Sequence, residues 1–138
     1  MIIIQKKDFN LEKEINKIKS KYLNVGAVSN FVGYVKDLNN NRKVSSIVLD
    51  VYQDMAYNSL KNICQKAKKK WDIIDVLIIH RFGKLDINEK IVLVATFSTH
   101  RKASFESCNY IMNYLKKDAP FWKKENYNKE SKWLENSN

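Results

Sequence analysis

Two apolar runs constrain this chain most. Ile73 to His80 and Ile91 to Ser98 are short, nearly continuous stretches of Ile, Leu, Val, Ala and Phe. They are far shorter than the roughly 20 residues that cross a bilayer. Strands buried on both faces read this way, whereas a half-exposed strand alternates. Both runs are therefore expected as central strands. Three amphipathic segments surround them. Leu11, Ile15, Ile18 and Tyr22 recur at helical spacing, with Asp8 as the cap and Asn24 as the stop. Met55, Ala56, Leu60, Ile63, Cys64, Ala67 and Trp71 stripe a second helix, capped by Asp54 and ending near Lys70. Phe105, Cys108, Ile111, Met112 and Leu115 stripe a third, which starts at a Ser98 or Thr99 cap and runs to about Lys117. Pro120 blocks its continuation.

The remaining strands are Ile2 to Ile4, Val25 to Val35 and Val44 to Tyr52. Gly26 and Gly33 lie in the second of these, where glycine signals a bulge or a close backbone approach. Residues 36–43 read as a polar, flexible loop, and residues 81–90 as a connection turning at Gly83. The tail from Phe121 to Trp133 is either a docked extension or a surface arm, with 126–138 expected as a flexible end. Paired strands between helices favour an α+β fold, one domain with a mixed or antiparallel sheet and three main helices.

Composition removes several classes. Three glycines and one proline in 138 residues rule out collagen-like and linker-like chains. An aromatic share of 12% argues against disorder. The N-terminal apolar residues precede the first lysines and lead to no small-residue cleavage site, unlike a signal peptide. Two distant cysteines, Cys64 and Cys108, make neither a disulfide framework nor a metal knuckle, which points to a reduced, cytoplasmic protein. His80 and His100 have no ligand-type spacing, so no metal and no cofactor is expected. The net charge of +10 fits a lysine-rich solvated surface or an anionic partner.

Two clusters carry candidate chemistry. Ser98-Thr99-His100-Arg101-Lys102 lies where a buried strand becomes a helix, and helix starts bind anions. It also reads as an ordinary polar helix start. His80-Arg81 is similar but leads into a turn, and its reading is structural. The second cluster is Tyr114-Leu115-Lys116-Lys117-Asp118-Ala119-Pro120-Phe121-Trp122-Lys123-Lys124-Glu125. Phe121 and Trp122 can wall a pocket with Lys116 and Lys123 at its mouth, where mutual repulsion and partial burial favour the neutral amine. The plain alternative is a helix end with capping lysines.

Five segments resemble a known family, the large catalytic subunit of molybdopterin synthase (MoaE). They are Gly26 to Lys36, Val51-Tyr52-Gln53-Asp54-Met55-Ala56, Ile79-His80-Arg81-Phe82-Gly83-Lys84-Leu85, Ser98 to Phe105 and Tyr114 to Glu125. The resemblance implies a MoaE-like α/β-hammerhead fold. It implies conversion of cyclic pyranopterin monophosphate into molybdopterin, with sulfur delivered as a C-terminal thiocarboxylate by a small ubiquitin-like subunit. It also implies a homodimer of large subunits within a heterotetramer, and neither nucleic acid nor membrane as partner.

By the same resemblance, Lys116 and Lys123 match catalytic lysines. His100 and Arg101 match a substrate-contacting pair, and Tyr34, Val35 and Lys36 a substrate-binding stretch. Lys124 and Glu125 match a further one. Phe31 and Met112 match pocket-lining positions. Lys36 stands where the family usually has arginine, which keeps the charge but loses the bidentate fork; a neighbour such as Arg42 can compensate. Asp50 replaces a usual glutamate, and three asparagines occupy a loop where the family commonly places glycine. Two other readings fit the same sequence: a basic nucleic-acid-binding module and a non-catalytic pterin-binding homologue.

Overall fold

A computed structural model, which describes residues 1–127, makes the two apolar runs neighbours at the centre of one sheet. The chain order begins with β1 (Ile2–Gln5), α1 (Leu11–Lys19), β2 (Ala27–Tyr34), β3 (Leu38–Asn39), β4 (Arg42–Val51) and α2 (Gln53–Lys70). It continues through β5 (Asp75–Arg81), β6 (Gly83–Asp86), β7 (Lys90–Ser98), α3 (Arg101–Lys117) and β8 (Phe121–Tyr127). The first sheet has the order β1-β5-β7-β2, with β1 parallel to β5 and the other pairs antiparallel.

The pleat explains why β5 and β7 are apolar throughout. Val76, Ile78, Val92 and Val94 face Leu60, Ile63 and Ala67 of α2 and Ile111 of α3. Leu77, Ile79, Leu93, Ala95 and Phe97 face Phe9 and Ile18 on the α1 side. Each buried Val, Leu, Ile or Phe among these contributes about 1.5–3 kcal/mol relative to exposure. The second sheet is built on β4. Residues Ser46 to Leu49 pair with both β6 and β8, so these two strands lie on opposite sides of it. Its core is Val35, Val44, Ile47, Leu49 and Leu85. The fold is α+β, with a mixed sheet and three main helices, as the pattern of elements indicates.

Several local expectations shift. The cap of α1 is Asn10, whose side chain accepts from the Lys13 N–H at 2.9 Å; Asp8 instead accepts from Phe9. α2 starts one residue before Asp54, and His100 caps α3 without a side-chain bond. The loop after Lys36 is a hairpin, β3 turning into β4 through Asn40 and Asn41, at φ 52° and 64°. Both central residues are left-handed, as in the tight turns that match strand twist, and asparagine tolerates this. Residues 83–86 are a strand, because Leu85 inserts into the second core. Phe121 to Tyr127 is a docked strand, so residues 126 and 127 are not a loose end; residues 128–138 lie outside the described residues.

The glycines answer to geometry. A Cβ on Gly26 would sit 2.3 Å from the carbonyl oxygen of Thr99, so no side chain fits. Strand register shifts between Gly33 and Tyr34, the bulge that glycine signals. Among the described residues no helix is long and apolar enough to cross a membrane.

Candidate active site

α3 organises the candidate residues, because its two ends meet different parts of the molecule. Its inward face is small and polar near the start. Ser104 Oγ lies 2.8 Å from Ser29 Oγ on β2, and Thr96 on β7 donates to the Ser104 carbonyl at 2.6 Å. This allows the helix to lie close on the sheet. Further along, Cys108 and Ile111 complete the buried stripe. Phe105, expected on that stripe, is 64% exposed on a different face.

That different face forms a groove. A cavity of about 540 Å³ runs between β2 and α3, lined by Phe31, Phe105, Asn109, Met112, Asn113 and Lys116 among others. Phe31, Met112 and Lys116, three of the residues singled out in the sequence, thus meet in one place. Phe105, Asn109 and Asn113 were missed, although Phe105, Asn109, Met112 and Lys116 recur at helical spacing and form a second stripe. Cys108 touches the groove, but burial pushes its thiol up to about 11, and Cys64 likewise. Neither thiol is a ready nucleophile at neutral pH.

Beyond Lys117 the chain turns at Asp118-Ala119-Pro120 and enters β8. Phe121 pairs with Val51, Trp122 with Asp50, Lys123 with Leu49, Lys124 with Val48 and Glu125 with Ile47. Directly paired residues share a face. Phe121, Lys123 and Glu125 therefore share the face of the buried Leu49 and Ile47, while Trp122 and Lys124 lie on the other. The expected Phe121–Trp122 wall does not form. Phe121 stacks on His80, and Trp122 packs edge-on against Tyr52 with ring centroids 5.1 Å apart. Both Lys116 and Lys123 are exposed, and among the described residues neither has a carboxylate partner.

The substrate-binding stretch after β2 divides in the same way. Val35 is buried in the second core, whereas Tyr34 and Lys36 are exposed. The hairpin following Lys36 is tied to β8, since the Asn39 amide donates to both oxygens of Glu125, at 2.8 and 2.9 Å. Glu125 thus fixes the position of the loop that carries Lys36.

His100 and Arg101 lie elsewhere. They begin α3, exposed, and Lys116 lies fifteen residues on, about 22 Å along the helix axis. One chain does not bring these two clusters together. Among the described residues no three metal-binding side chains converge.

Residues 4–118 match the family described as MoaE protein. A molybdopterin synthase catalytic subunit from Ralstonia nicotianae is 43% identical over 134 residues, covering 97% of this chain and 76% of the relative. The chain belongs to the MoaE family. A solved MoaE protein from Burkholderia ambifaria MC40-6 superposes with a TM-score of 0.82 at 40% identity, over 92% of this chain and 86% of that one. The fold, and only the fold, is also shared with a protein–protein complex of subunits 1 and 2 of molybdopterin-converting factor from Helicobacter pylori 26695. There the TM-score is 0.76 at 22% identity, over 94% of this chain and 90% of that one.

Proposed function

We propose that this MoaE chain is the catalytic subunit of a molybdopterin synthase, acting in the cytoplasm. It converts cyclic pyranopterin monophosphate into molybdopterin by adding two sulfurs as a dithiolene. Each sulfur comes from a thiocarboxylate at the C-terminus of a small ubiquitin-like subunit, which is left as a carboxylate. The observation that carries the reading is the groove between β2 and α3, apolar along Phe31 and Met112 and ending at Lys116. An extended tail ending in glycines has no side chains to exclude it from such a groove. A small-subunit partner is further supported by the occurrence of this fold in the two-subunit complex.

Lys116 and Lys123 act on the sulfur-bearing carbonyl. Two ammonium groups, one at the end of α3 and one on β8, neither with a carboxylate partner among the described residues, stabilise negative charge on the thiocarboxylate adduct and on the opening phosphate. Either can also donate a proton or bond transiently to the glycine carbonyl. Lys36, His100 and Arg101 hold the phosphate and pterin, with Tyr34, Val35, Lys124 and Glu125 shaping the surroundings. The first turn of α3 has no acidic residue, so its backbone N–H groups and three basic side chains all favour an anion.

About 22 Å is too far for one fused-ring pterin to touch Arg101 and Lys116 of the same chain. A second copy removes this difficulty. In a homodimer the start of one α3 can face the end of the other, and the heterotetramer then carries two composite sites.

The test is sulfur transfer in the reconstituted complex with thiocarboxylated small subunit. Lys116→Ala and Lys123→Ala are each expected to reduce product formation by at least about 100-fold while the subunits still associate. Near-normal turnover in either variant refutes the assignment.

A further inference from the structure

The pair His80-Arg81 ends β5, and the mechanism above uses neither residue. Their side chains leave the sheet on opposite faces. Arg81 is fully occupied by structure. It donates to the carbonyls of Lys6 and Lys90 at 3.1 and 2.9 Å and pairs with Glu89 at 3.2 Å, tying the N-terminal segment to the turn before β7.

His80 is different. It shares the face of Val76 and Ile78, beneath α2 and α3, and is 7% exposed. Its Nδ1 lies 2.9 Å from the Arg81 carbonyl oxygen. A carbonyl only accepts, so Nδ1 carries the hydrogen, and the ring is held in one tautomer and one orientation. The Phe121 ring lies flat on it, with centroids 3.6 Å apart and planes 15° from parallel. Burying an imidazole costs free energy unless its polar atoms are bonded, so an aliphatic residue would serve simple packing better.

The position of the stack is informative. Phe121 belongs to the stretch that joins Lys116 to Lys123, following Pro120 and opening β8. α3 packs on the first sheet, whereas β8 pairs with β4 in the second. The turn alone does not fix how the end of α3 stands relative to β8. The stack of His80, from the first sheet, on Phe121, from the second, is a direct contact that does.

We infer that His80 is a positioning residue for sulfur transfer: held by the Arg81 carbonyl, its ring seats Phe121 and so sets Lys116 against Lys123. The inference rests on the assignment of those two lysines above. It separates the two properties of the imidazole, the flat ring and the Nδ1–H donor. Catalysis depends on the ring as a seat, and the donor serves to hold that ring.

The experiment uses the full chain in complex with thiocarboxylated small subunit, with cyclic pyranopterin monophosphate as substrate. His80→Asn keeps a donor and removes the ring; His80→Phe keeps a ring and removes the donor. Thermal midpoints, single-turnover rates, KM and the ring resonances of Phe121 in 13C-phenylalanine-labelled protein are measured for each. His80→Asn is expected to slow sulfur transfer about tenfold to hundredfold, as displacement of catalytic groups by an ångström does, with KM within about twofold. Its Phe121 resonances lose the ring-current shift. His80→Phe is expected to recover the rate to within about threefold of wild type and to retain a ring-current shift. Phe121→Leu removes the stack from the other side, is expected to match His80→Asn, and decides the matter if His80→Asn does not fold. Wild-type rates in His80→Asn or Phe121→Leu, or equal losses in His80→Asn and His80→Phe, overturn the inference. If Lys116→Ala and Lys123→Ala are inactive while His80→Asn is fast, only the inference falls; if the lysine variants turn over, the lysine assignment falls first.

Discussion

The two ends of α3 carry similar positive charge but are held by different means. At the start, His100, Arg101 and Lys102 are exposed around backbone N–H groups, with no acidic residue in the first turn. Cations at this end oppose the helix dipole. At the other end, Lys116 and Lys117 complement it. The backbone at the start is clamped by the Gly26 approach to Thr99 and by the Ser29–Ser104 contact, while the charged side chains reach into solvent. The far end is enclosed by the groove, by the His80–Phe121 stack and by β8 pairing. One end is thus a rigid base presenting charges that local stability does not favour. The other is a joint between two sheets, where orientation has to be built.

The sharpest way to break this comparison asks whether the two ends work in the same chain. Lys116→Ala and Arg101→Ala are each expected to be inactive alone. Mixed before assembly, they are expected to regain about a quarter of wild-type turnover, because half the dimers are hybrid and each hybrid restores one of two composite sites. A mixture as dead as its components shows that both ends serve one chain's site.

Acid probes the far end. Burial lowers the His80 pKa from 6.5 to about 4, with the bond to Arg81 acting weakly in the other direction. Between those values the unfolded chain binds the proton and the folded chain does not. This contribution is therefore complete above about pH 6.5, falls as pH drops and is lost by about pH 4; its full size is about 3 kcal/mol. Urea titrations at pH 7 and pH 4.5 should show a larger loss of stability in the wild type than in His80→Phe. Parallel losses in the two proteins would show that the histidine does not contribute.

The smallest effect concerns the start of the helix. Arg101→Glu places an acid in the first turn and is expected to stabilise the fold by about 0.5 kcal/mol. It should weaken substrate binding at the same time. A calorimetric scan beside a direct titration of substrate binding checks both, and a lowered melting temperature would contradict the dipole argument.

Much of this was legible in the sequence, for identifiable reasons. β5 and β7 announce themselves because both of their faces are buried, and the α2 and α3 stripes follow from packing on them. β6 was hidden, since its four residues bury only Leu85. β8 was hidden more deeply: an edge strand rich in lysine resists further pairing and so lacks apolar alternation. Its register against β4 separates Lys123 from Lys124, a distinction no helical or loop reading of the segment makes. Phe31, Met112 and Lys116 line one groove, although their positions along the chain gave no sign that β2 would lie beside the end of α3. The 22 Å between Arg101 and Lys116 was already implicit in their spacing on one helix, and the order of motifs along the chain obscured it.

The pairing of β8 with β4 also has a consequence in time. Its partners are separated by roughly seventy to eighty positions, so the loop that must close is long and its closure slow. Chains emerge from the ribosome N-terminal part first, and the first sheet is complete in sequence before β8 exists. During that interval β4 lacks one neighbour and exposes an unpaired edge next to Leu49 and Ile47. Lys123 arrives with the strand that covers this edge. A nascent chain therefore acquires its second candidate lysine only when it also covers this exposed edge, and assembly before that moment yields a protein that is both sticky and without that lysine.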